Sequence, residues 1–129
     1  MKNKKILVTV IGLVFVSLIL VACSSSGKSG FPTGKFIYPN DKNGGGLQFD
    51  ADGTWSAFNS SYVLAKGTYS VDSDTYIEES NNNGCSAPMS FKYTFDGTNL
   101  TFNYVGNPAD DSCDGRRAGF DNVTYTLSK

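Results

Sequence analysis

Met89-Ser90-Phe91-Lys92-Tyr93-Thr94-Phe95-Asp96-Gly97-Thr98-Asn99-Leu100-Thr101-Phe102-Asn103-Tyr104 is the stretch that decides the fold. Phe91, Tyr93 and Phe95 alternate with Ser90, Lys92 and Thr94. Beyond Asp96-Gly97, Leu100, Phe102 and Tyr104 alternate with Thr101 and Asn103. Period-two alternation on both sides of an Asp-Gly turn predicts a β-hairpin. Its six large apolar groups fall on one face, so other strands must close over that face.

The rest of the chain supplies those strands. Gly34-Lys35-Phe36-Ile37-Tyr38, Leu47-Gln48-Phe49, Thr54-Trp55-Ser56-Ala57-Phe58 and residues 63–71 all read as strands, separated by Asn-, Asp- and Gly-rich turns. Gly67 is expected to mark a kink or bulge. Residues 75–79 and Val123-Thr124-Tyr125-Thr126-Leu127 complete about eight strands, with no helix expected. Turns recur roughly every ten residues, which favours neighbours pairing in order as an up-and-down meander. Closing such a meander into a barrel removes both exposed edges. The predicted fold class is therefore all-β, a small closed antiparallel barrel over residues 31–129.

The first 30 of the 129 residues read differently. Lys2, Lys4 and Lys5 precede an apolar run over residues 6–20, followed by Leu20-Val21-Ala22-Cys23. A basic start, a short apolar segment and a small-residue cleavage site form a secretory leader. The Leu20-to-Cys23 segment resembles the lipobox of bacterial lipoproteins. The resemblance implies cleavage after residue 22, with Cys23 becoming a lipidated N-terminus that carries fatty-acyl chains such as palmitate. Two or three chains anchor stably where one is marginal. Residues 23–30, rich in Ser and Gly, would then be a flexible tether. The expected location is the extracytoplasmic side of a membrane in a bacterial cell envelope.

Removing the leader takes three of the eleven basic residues and none of the twelve acidic ones, leaving a net charge of −4. An acidic surface argues against nucleic acid as a partner and against electrostatic docking on anionic lipid. The membrane contact is expected through the lipid on Cys23. Export also decides the reading of the two other cysteines. In an oxidising compartment, Cys85 and Cys113 are expected to form a disulfide.

Catalytic chemistry finds little support. The chain has no histidine, which removes the usual Ser-His-Asp and Cys-His arrangements. Glu78-Glu79 and Asp110-Asp111 are paired in sequence, but adjacent acids on a strand point to opposite faces. Asp50-Ala51-Asp52-Gly53 has the look of a calcium-loop start, yet its twelfth residue is Ser61 and its flanks alternate like strands. A plain turn explains it. No enzyme activity, metal or cofactor is expected.

Gly34-x-Phe36 on the first strand resembles the Gly-x-Trp signature of lipocalins and the wider calycin group, with Phe36 in the place of the tryptophan. The Gly-Thr-Trp and Gly-Thr-Tyr segments after polar turns are similar to those of small bacterial lipocalin-like lipoproteins. The resemblance implies an eight-strand barrel in which an arginine near the last strand, Arg116 or Arg117, packs over Phe36 and closes one end. It also implies a small apolar or amphipathic ligand.

Seven Tyr, eight Phe and Trp55 remain after the leader. They either fill a small core or line a pocket in which Trp55, Tyr69, Tyr93 and Phe102 meet a ligand. Filling is favoured because short strands leave little spare volume. Two functions follow. One is an anchored barrel holding a small hydrophobic molecule. The other is an anchored protein-interaction or structural barrel with a filled interior, of the size and kind of the lysozyme-inhibitor lipoproteins.

Overall fold

The computed structural model describes residues 30–79, 85 and 88–129. The expected leader over residues 1–22, the lipidation site Cys23 and the tether up to residue 29 lie outside the described residues. Eight strands follow in order: β1 (Gly34–Ile37), β2 (Gly46–Phe49), β3 (Thr54–Phe58), β4 (Val63–Asp72), β5 (Thr75–Glu78), β6 (Met89–Phe95), β7 (Asn99–Tyr104) and β8 (Thr124–Leu127). Each pairs antiparallel with the next, and β8 returns to β1, so the sheet closes into a barrel. The meander expected from turn spacing is the observed topology.

The hairpin is β6–β7, in the register Phe91↔Tyr104, Tyr93↔Phe102 and Phe95↔Leu100. That register puts Gly97 and Thr98 at the tip. Gly97 has φ +98, a region open chiefly to glycine. The Asp96 carboxylate accepts from the Thr98 and Asn99 amides at 2.8 and 2.7 Å, bonds that hold its pKa below the ordinary carboxylate value.

The predicted inner face holds only in part. Phe91, Leu100 and Phe102 are wholly buried, whereas Tyr93 and Tyr104 are half-buried and Phe95 is 37 % exposed. Alternation fixes the face but not the position along the barrel axis. Phe95, beside the hairpin tip, lies where the cylinder ends.

Call the end with the β2–β3, β4–β5 and β6–β7 turns the lower end. The chain enters there, and Phe31, expected only as a lead-in, is fully buried in the lower barrel. Its ring meets those of Phe49, Tyr69, Tyr76, Tyr93 and Phe102, with centroids 4.8–6.3 Å apart in mostly edge-on or tilted arrangements. The chain turns from this plug into β1 through Gly34, at φ +124. A Cβ at Gly34 would also lie 3.3 Å from Leu127 Cδ1.

Two expectations are corrected. Gly67 sits in regular register opposite Trp55. The irregularity lies instead between Ala57 and Phe58, where Leu64 is the additional residue of β4 between Val63 and Ala65. It falls where the β3–β4 turn begins, so the ladder adjusts at its end and not in its middle.

The second concerns the long β7–β8 connection. Expected to lack helix, it contains a 3₁₀ turn (Pro108–Asp110) and α1 (Asp114–Ala118). Five residues cannot hold a helix alone. Asp114 in its first turn and Arg116 and Arg117 in its last suit the helix dipole, and Cys113, one residue before it, is tied to Cys85.

Candidate functional site

At the upper end, β5 finishes at Glu78. Period-two alternation puts Glu78 on the inner face with Tyr76, while Glu79 points out and accepts a hydrogen bond from Ser70 Oγ at 2.7 Å. Glu78 is 0 % exposed. Trp55 Nε1, arriving from β3, donates to its Oε1 at 3.3 Å. Arg116 Nη1, arriving from α1, donates to its Oε2. The same nitrogen donates to the Cys85 carbonyl at 3.3 Å. A buried carboxylate costs several kcal/mol unless a cation and hydrogen bonds compensate it, and here both come from outside β5.

Tyr76 lies beneath this pair. Its hydroxyl is buried without a hydrogen-bond partner among the described residues. Burial and then the nearby Glu78 charge push its pKa well above the ordinary tyrosine value.

The α1 loop reaches this position because several bonds pin it. Its disulfide joins Cys85 to Cys113, as the cysteine count predicted. Arg117 Nε donates to Asp111 Oδ2 at 2.9 Å while its guanidinium lies 5.8 Å from the Tyr104 ring centre. Tyr125 Oη donates to the Gly119 carbonyl. Asp121 Oδ1 accepts from the Tyr104 amide at 2.8 Å, and the Asn122 amide donates to the Phe102 carbonyl at 2.8 Å. Between these anchors Phe120 is driven into the barrel, with ring centroids 5.2–5.7 Å from Phe91, Phe102, Trp55 and Tyr76. The barrel is thus packed from both ends, by Phe31 below and Phe120 above.

Over Phe120 lies a groove of about 890 Å³. Trp55, Arg116 and Phe120 contribute to its floor, and Tyr38, Phe58 and Leu64 to its walls. Two of its apolar lining residues stand open to solvent, Leu64 at 57 % and Tyr38 at 44 % exposed.

The four residues expected to converge on a ligand do not do so. Trp55 alone lines the groove. Tyr69 and Phe102 are wholly inside the core, and Tyr93 is half-buried against Phe31 at the lower end. The end-closing arginine is likewise redirected. Phe36 packs against Phe49 and Phe95, while Arg116 is bonded to Glu78 and Arg117 to Asp111. Glu78 and Phe120 were missed. A signal for Glu78 was present, because alternation with Tyr76 puts a carboxylate indoors, where it demands a cation.

The lower-end carboxylates shape turns. Asp52 Oδ1 accepts from the amide and hydroxyl of Thr54 at 2.9 and 2.6 Å, which lowers its pKa. Among the described residues, no three or more acidic or cysteine side chains group as they would around a metal.

Compared with protein-family models, with curated proteins and with solved structures, the chain matches none.

Proposed function

We propose that the protein is an exported lipoprotein, anchored through Cys23, whose packed barrel presents its upper groove to a protein partner. The observation that carries this reading is the contrast between interior and rim. Rings from both ends fill the space where a barrel would hold a small ligand. Meanwhile Tyr38 and Leu64, which line the groove, stand exposed. Apolar groups grouped at a concave rim are the mark of an interaction site.

The direction of the groove supports the same reading. The chain enters the barrel at the lower end, through Phe31, so a tether over residues 23–30 attaches opposite the groove. Eight residues span at most about 28 Å. Attachment at the end opposite the groove leaves the groove free to meet partners in the aqueous phase. The net charge of −4 after cleavage favours a neutral or basic protein surface over nucleic acid. Glu78, the carboxylate beneath the groove, is already neutralised by Arg116, which suits binding better than acid–base catalysis.

A photocrosslinker at Leu64, with one at the exposed Thr94 of β6 as control, tests this in the native host. The expected result is one protein adduct from position 64. It should disappear when Tyr38→Ser, at another exposed residue lining the groove, is introduced without lowering the melting temperature. A small molecule co-purifying in native mass spectrometry, with no rim-dependent adduct, would overturn the protein-partner reading. Anchoring has its own test: Cys23→Ser should move the protein from the detergent phase to the aqueous phase, and retention in membranes would refute the lipid.

A further inference from the structure

We infer that residues 114–120 are a built-in occupant of the barrel's upper end, standing in for a partner segment that presents a guanidinium and an aromatic ring. The inference rests on the groove being a protein-binding site and names the chemistry that site accepts. Glu78 is wholly buried, and the cation bonded to it, Arg116, comes from the connecting loop and not from the sheet. Four residues further on, Phe120 fills the space among Trp55, Tyr76, Phe91 and Phe102. One short segment thus places a charge on a carboxylate and a ring in an aromatic socket. The socket is built by β3, β5, β6 and β7.

Two observations indicate that the site is not matched to this occupant alone. The Tyr76 hydroxyl, fully buried in the same socket, has no hydrogen-bond partner among the described residues. Buried polar groups are normally satisfied, and a second polar group on an incoming segment would satisfy this one. In addition, α1 draws in one side chain, that of Arg116, which is 8 % exposed. The sheet ladder closes through β1 and β8 without it. The loop can therefore leave its seat while the barrel stays closed.

What holds the loop there is the Arg116–Glu78 pair, the buried Phe120 ring and the anchoring bonds at Gly119, Asp121 and Asn122, with proximity added to them. Its disulfide and short connections keep Arg116 and Phe120 at a high effective concentration over their sites. An external segment must outcompete that, so its apparent affinity falls by the fraction of time the seat is vacant. A partner gripping Tyr38 and Leu64, the exposed residues of the lining, would supply the additional binding energy. The loop then acts as a guard that a cognate partner displaces.

The test uses the mature chain and a capped peptide with the sequence of residues 114–120, followed by fluorescence of Trp55, the only tryptophan. The double variant Arg116→Ala/Phe120→Ala, with its barrel verified by far-ultraviolet circular dichroism, should bind the peptide saturably. Binding should be at least tenfold tighter than that of the oxidised wild type. Peptides carrying Arg116→Gln or Phe120→Ala should bind at least tenfold more weakly. If the double variant does not fold, the wild type reduced with dithiothreitol replaces it, with the same ranking of peptides expected. A folded, vacated barrel that shows no saturation, or binds all three peptides equally, overturns the inference. Ranked peptide binding with no adduct at position 64 supports it and removes only the rim-docking reading. An adduct at 64 without ranked peptide binding does the reverse.

Discussion

Truncating Phe31 should cost more than any other single change near the chain's entry. The residue is wholly buried and its ring meets five others. Its side chain removes roughly 150–250 Å² from water, which at about 25 cal/mol per Å² approaches 4–6 kcal/mol before the alanine's own share is subtracted. Large-to-small changes of this kind cost about 3–5 kcal/mol once the residual cavity is included. A domain of this size has only about 5–15 kcal/mol in total, so Phe31→Ala should leave a barely stable barrel. The companion is Phe95→Ala. That ring is 37 % exposed and meets Phe36 at 6.0 Å, so its loss should cost about 1 kcal/mol. In a urea titration followed by Trp55 fluorescence, with a slope of about 1.5 kcal/mol per M, Phe31→Ala should lower the midpoint by roughly 2 M or more. A midpoint shift for Phe31→Ala no larger than that for Phe95→Ala would show that the entry segment is not seated in the barrel.

Other outcomes follow from the same geometry. Thiol titration of the unfolded, unreduced protein should find no free thiol at Cys85 or Cys113, and reduction should cost about 3.5 kcal/mol for a 28-residue separation in the chain-entropy picture. Glu78→Gln should destabilise by about 3–5 kcal/mol, because it strands the buried Arg116 charge, and Glu78→Gln with Arg116→Met should recover a measurable part in a double-mutant cycle. Tyr69, desolvated and close to Asp50 and Asp52, has its pKa pushed from 10 up to about 12. The folded state holds that proton longer than the unfolded state, so stability present below pH 10 should be lost as pH rises toward 12. Urea midpoints at pH 9 and pH 11 measure this, and equal midpoints would contradict the burial of the hydroxyl. Phe102→Ala should cost about 3–5 kcal/mol in the same titration, against about 0.5 kcal/mol for the neighbouring Lys92→Ala on the outer face.

The amino-acid sequence determined what depends on near neighbours along the chain. Alternation around Asp96-Gly97 specified the β6–β7 hairpin and which side chains share its face. The recurrence of Asn-, Asp- and Gly-rich turns specified eight strands in meander order. With export expected from the leader, the two cysteines other than Cys23 pointed to the disulfide. Each rests on a local rule: the two-residue period of a strand, the positive φ of a turn glycine, or the redox state of a compartment.

Tertiary structure decided whatever depends on distance from the barrel's ends and on groups meeting across the sheet. Alternation cannot tell Phe102, at mid-barrel, from Phe95, at the rim, because the axial position follows from closure and not from face. Phe31 lies outside any strand and Phe120 in a long connection, so no period marks either as a plug. Arg116 is one of two adjacent arginines with equal claims in sequence. The choice between them came from the Cys85–Cys113 tie and the need of Glu78, 38 residues away, for a cation. A buried charge must be compensated by whichever group the fold brings near it, and only the closed barrel brings β5 and α1 together.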